Sequence, residues 1–511
     1  MDKLAHLAPI IERHASQLKQ PGVVSIHPGY TMKDGWPTET PAIVVTTSKT
    51  ARHLSLPQEV DGVPIDVRRA APIEEWRFEH PELAQVVVQH RPELRGGAFP
   101  SAVEPAAQAV LPTAIPEMPY TPPAGVTLHT VTGTFPITCH VSPDAGWPTL
   151  KGFLAATKTS LTVSMYDFTS KHVLDGVTGS LQSKQSLEIT LDHPSQDASA
   201  DQSDPQTIAD LATALGNRFE SAWALVQTNT EVTKWIFPSA YHIKVAVRDS
   251  SATWLSSGNW NNTNQPDMDP INHPQSTDQA TARKSDRDWH VIIENADVSA
   301  QFEAFMKHDF DVAKLEQVSG ASPAALEMPE ELQRATTGTF IFHAPLRIAG
   351  EQISITPLLT PDPGVYRGQM LQLIQSAQAR LYIQLQYIHP PNTGVDQGFT
   401  DLINAVAAKI RSGVDVRIIL SQYQTLSGWL DRLQSAGISL SAVKIQTGVH
   451  NKGFVVDSKT VVVSSQNWSG DGVLRNRDAG VIIESQTAAK YYESIFLHDW
   501  TRIAKQSVNP A

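Results

Sequence analysis

Cysteine is all but missing from this chain: Cys139 is the single one among 511 residues. That excludes an internal disulfide and any cysteine-rich zinc site, and the thiol reads as a small apolar filler. Long uncharged hydrophobic runs are missing too, as is a positively charged start followed by a leader-like apolar stretch. The expectation is a soluble, cytoplasmic protein, although export by a signal-independent route leaves no such trace. Positive charge is in deficit, with 40 Lys and Arg against 52 Asp and Glu and a formal net charge of −12. This balance argues against general nucleic-acid binding, which rests on cations neutralising phosphates, while still allowing a local basic cleft. Hydrophobic residues make up 41% of the chain, and its length allows two or three domains with a large core.

What the chain does have is an internal repeat. His242, Lys244 and Asp249 recur as His450, Lys452 and Asp457, each copy reading His-x-Lys-x4-Asp, 208 positions apart. At the same offset, Ser257, Asn259 and Trp260 recur as Ser465, Asn467 and Trp468. The runs Ile243–Val247 and Gly453–Val456 read as short buried strands, with Ala252–Leu255 and Val461–Val463 as the next ones. Side chains two apart on a strand share a face, so each His stands beside its Lys, and each Ser beside its Asn. Asp249 and Asp457 lie at an odd offset from their histidines, which makes them scaffold residues of the motif. A His-x-Lys pair on an apolar strand is hard to explain as core, because a buried lysine needs a partner.

This set suits attack on a phosphodiester. A neutral imidazole can attack phosphorus and form a phosphohistidine, and a second, protonated imidazole can hand its proton to the departing alcohol. Lysines neutralise the charge that develops on the phosphoryl oxygens, with Ser257, Asn259, Ser465 and Asn467 as neutral donors to phosphate. Two facing motifs supply the whole apparatus without a metal or other cofactor.

These residues resemble the phospholipase D superfamily, which carries paired His-x-Lys-x4-Asp motifs followed by Gly-Ser-x-Asn. Here Ser256 and Ser464 stand where the family has glycine. The resemblance implies a carboxylate ahead of a later apolar strand that orients the catalytic His. Asp288 and Asp478 are the candidates, in Arg287–Ile293 and Arg477–Ile483, with Glu294 and Glu484 as runners-up. It further implies that His242 attacks, that His450 protonates the leaving group, and that water or an alcohol then releases the phosphatidyl group.

The repeat organises the rest. Thr132–Phe135 matches Thr337–Phe340, Leu161–Phe168 matches Leu381–Ile388, Leu187–Leu191 matches Val416–Leu420, and His308-Asp309-Phe310 matches His498-Asp499-Trp500. His308 and His498 close amphipathic stretches and read as structural. Strands alternating with helical stretches imply an α/β fold: two α/β/α sandwich halves about a pseudo-twofold, with both motifs in one cleft, the catalytic unit complete in one chain. The halves are expected at residues 126–318 and 319–511. The first carries 18 extra residues within Asn261–Asp286, a polar loop that reads as a substrate-selecting lid or as surface decoration. His193–Gln206 reads as plain surface. Asn467-Trp468-Ser469 has the form of a glycosylation sequon but falls inside the expected site.

Residues 1–96 differ in character. Leu4–Leu18 has helical spacing, and Val23–Ile26, Ala42–Val45 and Val63–Val67 read as strands, giving a small α+β or β-rich accessory domain. Residues 97–125, with seven prolines, read as a semi-rigid linker. The favoured function is a phosphodiesterase acting on phospholipid, touching the membrane peripherally through loops at the cleft rim. A nuclease with the same machinery is less favoured, because single-motif relatives acting on DNA usually pair two chains. Cardiolipin-type synthesis and a non-catalytic scaffold are the other readings; an inactive relative would be expected to have lost a His or Lys.

Overall fold

The computed structural model describes residues 4–52, 54–81, 120–192, 200–227, 232–235, 240–315, 338–361, 365–392, 394–426 and 428–506. Most of the expected linker and the boundary at residues 318/319 lie outside the described residues.

Two eight-stranded mixed sheets dominate the α/β fold. In the first the order is Leu346–Ile348, Ile137–Ser142, Asp288–Ile293, Ala252–Ser256, Lys244–Arg248, Ser160–Met165, Ser186–Leu191 and Phe219–Trp223. The second repeats this strand for strand: Val131–Thr134, Gln352–Thr360, Asp478–Glu484, Thr460–Ser464, Lys452–Val456, Arg380–Leu385, Asp415–Leu420 and Val443–Ile445. The motif strands sit mid-sheet and pair antiparallel with both neighbours.

Alternation along these strands builds the layers. Val245 and Val247 enter one apolar cluster and Ala246 another; Val455 joins the first, and Phe454 and Val456 a third. A strand buried on both faces must be apolar at every position, hence the unbroken β-branched runs. The shared cluster joins both halves, and it takes in helices Ala296–Leu315 and Gln486–His498 through Phe302, Phe305, Tyr492 and Phe496. Helices Gly146–Ala155, Lys171–Ser180 and Asp204–Leu215 cover the outside of the first sheet. Val365–Ser376, Gln397–Arg411 and Trp429–Ser435 cover the second.

The halves exchange edges. Val131–Thr134 pairs with Gln352–Thr360 in the second sheet, while Leu346–Ile348 pairs with Ile137–Ser142 in the first. The structural counterpart of the opening strand Val131–Thr134 is therefore Leu346–Ile348 and not the segment at 337–340 matched by its identical Thr-Gly-Thr-Phe sequence. Gly338–Phe340 instead meets the inserted segment: Arg283 Nε donates to Gly338 O, and Gln279 and Phe340 exchange two hydrogen bonds. The insertion is not all loop. It holds helix Asp278–Lys284 and an apolar anchor of Met268, Ala282, Phe340 and Ile503.

The N-terminal region is β-rich. A hairpin of Val23–Lys33 and Trp36–Thr47 turns at Asp34-Gly35, both at positive φ, a conformation that Asp and Gly tolerate. Val63–Arg69 adds in parallel, and helix Ala8–Leu18 covers the sheet through Ile11 and Leu18. The region docks on helix Trp429–Ser435. Buried Asp431 takes the Arg68 guanidinium at 2.7 Å and the Tyr30 backbone N–H at 2.8 Å.

Candidate active site

Each motif strand begins at its lysine: Lys244 lies opposite Met165 and Lys452 opposite Leu385 in matching register. The histidines stand just ahead of the strands, where the sheets meet. The His242 and His450 ring centroids are 6.5 Å apart.

Two short bridges across the pseudo-twofold bring them together. Arg287 pairs with Val449, its N–H donating to Gly448 O, and Arg477 pairs with Tyr241, its N–H donating to Ala240 O. The residue after each arginine thus faces the other half's histidine. His242 Nδ1 lies 2.8 Å from Asp478 Oδ1, and His450 Nδ1 lies 3.1 Å from Asp288 Oδ1. Each carboxylate orients the imidazole of the opposite half. With Nδ1–H donated to a carboxylate, Nε2 carries the lone pair of each ring. Glu294 and Glu484 lie at the far strand ends: Glu294 pairs with Arg347, and Glu484 is exposed.

The arginines are fixed in turn, and this layer was not read from the sequence. Arg287 is buried, with Nη1 on Asp144 at 2.6 Å and Nε on Asp499 at 2.9 Å. Arg477 is buried with Nε 2.7 Å from Asp309. Asp309 and Asp499 come from the closing helical segment of the half opposite to the arginine they hold. The signal was present: both halves read Arg-Asp before the strand and His-Asp-aromatic at the close. His308 and His498 themselves lie outside the centre, His308 Nε2 bonding Thr121 O at 2.7 Å.

Lys244 Nζ donates to His242 O at 2.6 Å and lies 5.1 Å above the Tyr166 ring. Lys452 Nζ donates to His450 O, lies 3.1 Å from both His450 ring nitrogens, and reaches Ser257 O at 3.4 Å.

Ser257 Oγ donates to Asp288 Oδ1 at 2.7 Å and accepts from the Trp289 N–H at 3.0 Å. Ser465 Oγ donates to Asp478 Oδ1 at 2.6 Å and accepts from the Ala479 N–H at 3.0 Å. A hydroxyl has one proton, and both buried serines give it to the orienting carboxylate. Asn259 and Asn467 differ: neither carboxamide oxygen has a hydrogen-bond partner among the described residues. Serine in place of the family glycine is accommodated. Ser256 Oγ bonds both the N–H and C=O of Gly258, and Ser464 Oγ donates to Lys452 O.

Asp249 and Asp457 sit at the other end of the motif strands. Asp249 accepts the backbone N–H groups of Lys158, Thr159 and Ser160, and Asp457 those of Gln378, Ala379 and Arg380. Each tethers the turn after the motif strand to the start of its neighbour. The insertion reaches the centre through Asn264, whose Nδ2 donates to Asp288 Oδ2 at 2.9 Å and whose Oδ1 accepts the Asn259 N–H at 3.0 Å.

Electrostatically the two halves differ. Burial raises Asp288, but the His450 charge and hydrogen bond and the Lys452 ammonium outweigh it and hold the carboxyl down at about 2. Burial of Asp478 prevails over Lys244, Ser465 and Lys452 and pushes that carboxyl up to about 8. His450 is lowered to about 4 by burial and by Lys452, against the pull of Asp288. His242 falls well below the ordinary imidazole range through burial and the charges of Lys244, Lys452 and His450. Two neutral imidazoles therefore meet an incoming substrate.

Fold and site define the class: a duplicated α/β protein in which each half lends an imidazole, an ammonium group and a carboxylate to one centre. Residues 370–500 match the family described as cardiolipin synthase, PLD-like domain. The chain is 36% identical over 103 residues to a phospholipase D of Rickettsia conorii, covering 20% of this chain and 48% of that protein. It is 28% identical over 138 residues to a mitochondrial cardiolipin hydrolase of Canis lupus familiaris, covering 27% and 49%. The chain thus spans about half the length of these curated relatives. Among solved structures, a phosphatidylserine synthase of Haemophilus influenzae aligns over 73% of this chain and 90% of its own, with a TM-score of 0.49 and 14% identity. These matches support the resemblance of the chain to the phospholipase D superfamily.

Proposed function

We propose that this protein is a phosphodiesterase of phospholipase D type that hydrolyses or transfers a phosphatidyl group through a covalent phosphohistidine. The observation that carries this reading is the convergence of His242 and His450, rings 6.5 Å apart, each held at Nδ1 by the opposite half's carboxylate. The phospholipid-directed relatives favour lipid over nucleic acid as substrate.

His242 Nε2 attacks phosphorus, and the bond from phosphorus to the headgroup oxygen breaks. Lys452 lies 3.1 Å from both His450 ring nitrogens, a placement that disfavours nucleophilic attack by His450 and leaves that role to His242. His450 gives its proton to the departing alkoxide. Water then attacks the phosphohistidine, His450 takes back a proton, the P–N bond breaks, and phosphatidate leaves; an alcohol in place of water gives transfer. A phosphodiester anion between the rings raises both imidazoles toward their ordinary range, which supplies the protonated His450 that the free protein lacks. Lys244, Lys452, Asn259 and Asn467 contact the phosphoryl oxygens.

The test is headgroup release from vesicles of phosphatidylcholine, phosphatidylethanolamine or cardiolipin in the presence of chelator, with His242→Asn as control. Release that the control abolishes supports the reading. No release from any phospholipid, with chelator-resistant cutting of DNA or RNA, replaces it with a nuclease.

A further inference from the structure

The two halves present different walls to their lysines. Tyr166 and Gln386 occupy equivalent places, each one residue past the strand position opposite the motif lysine. The half-buried Tyr166 ring meets His242 edge to face, centroids 4.9 Å apart at 64°, and Lys244 Nζ stands 5.1 Å over it. Gln386 touches the second motif through its backbone, its N–H donating to Asn451 O and its C=O accepting from Ser421.

Lys244 needs such a wall more than Lys452 does. Its ammonium is fully buried and, among the described residues, has one hydrogen-bond acceptor, His242 O. Lys452 has Ser257 O as well as its own histidine. An aromatic face attracts a cation through its quadrupole, most strongly where water is excluded. The same ring packs against His242, so the imidazole is located at Nδ1 by a hydrogen bond and by this tilted ring contact.

We propose that Tyr166 is a positioning residue whose ring keeps Lys244 charged in the empty cleft and holds His242 in line for attack. This rests on the phosphodiesterase reading for its kinetic part alone. The groups that set the charge of Lys244 are Lys452 across the cleft, which disfavours it, and Asp478, Asp288 and Asp192, which favour it; burial is the largest influence and lowers Lys244 well below the ordinary range. The ring acts with the three carboxylates.

The experiment uses full-length protein with lysine carrying 13C at Cε. The Lys244 signal is assigned by its loss in Lys244→Met and titrated by NMR in wild type, Tyr166→Gln, Tyr166→Leu and Tyr166→Phe. Glutamine is the residue that the other half accepts at this place, and leucine is a second variant should glutamine fail to fold. Loss of the ring is expected to lower the Lys244 midpoint by about one unit and kcat by about tenfold, with KM changed less than about twofold. Phenylalanine is expected to rescue both. A Lys244 midpoint that stays at the wild-type value in Tyr166→Gln or Tyr166→Leu overturns the proposal, whatever happens to kcat. A midpoint that moves, in a protein whose wild type turns over no phosphodiester, leaves Tyr166 as the support of Lys244 and defeats the phosphodiesterase reading instead.

Discussion

Asp288 and Asp478 are the same side chain in the same strand position, yet one is held at about 2 and the other pushed up to about 8. Asp288 faces His450 with Lys452 against that ring and takes a hydrogen bond from Asn264; Asp478 lacks the insertion's amide. Asp288→Asn should therefore act mainly on the acid. Removing the carboxylate that raises His450 is expected to cut kcat by about 10²- to 10⁴-fold, the range for disrupting a His-carboxylate pair, and to move the alkaline limb of kcat to lower pH. An unchanged limb would separate Asp288 from His450. Buried histidines also set acid stability. His290 and His450 lie at about 4, and His140 and His242 well below the ordinary value. Between about pH 6.5 and pH 4 the unfolded chain binds protons that the folded chain refuses, so stability is lost as pH falls through this window. Asp478, raised to about 8, and Glu188, raised to about 7 by burial, work in the opposite sense there, two groups against these four. Thermal unfolding should show Tm dropping from pH 6.5 to pH 4; a flat Tm would mean these rings are not held neutral.

Among the elements, the arginine ties do for the halves what the Asp–His bonds do for the side chains. Arg477 spans from the orienting strand of the second half to Asp309 on the closing helix of the first, and Arg287 spans the reverse way to Asp499. Arg477→Leu leaves the Asp309 carboxylate buried without its cation, which costs about 3–5 kcal/mol. Chemical denaturation should register this, and Arg477→Leu with Asp309→Leu should recover much of it; equal instability of single and double variants would deny the pairing. The motif residues were legible because the repeat singled them out: no other His-Lys pair recurs with its Ser, Asn and Trp at one offset. The cross-pairing was not, since it depends on Arg287 lying beside Val449 and Arg477 beside Tyr241, contacts between segments far apart in sequence. The bonds from the serines to the carboxylates were not legible either, because strand alternation gives the face a residue occupies and not the direction of its single hydroxyl proton. Asn264 was hidden in a loop whose composition carries no code.

Across the whole molecule, the duplication was visible in the sequence, and so was a β-rich N-terminal region. Edge exchange was not: a four-residue strand such as Val131–Thr134 fits either sheet by pattern, and packing alone decides. The exchange links the halves independently of the arginines. The N-terminal sheet clasps one helix, Trp429–Ser435, through Asp431 and through Gln434 Nε2 donating to Thr38 O. Arg68→Met should loosen that clasp, with faster hydrogen exchange across Val23–Lys33 and Trp36–Thr47; exchange at the wild-type rate would show that Asp431 does not hold the domain.

The central claim is that two imidazoles from two halves act in sequence on one phosphorus atom. It is tested most directly in His450→Asn with a phosphodiester whose leaving group needs no proton, such as a p-nitrophenyl ester of phosphatidate. Attack should proceed and hydrolysis of the phosphohistidine should stall, so peptide mapping by mass spectrometry at neutral to alkaline pH, where the P–N bond survives, should find one phosphatidyl adduct per chain, on the peptide carrying His242. An adduct on neither histidine, or an adduct that persists in His242→Asn, would contradict it.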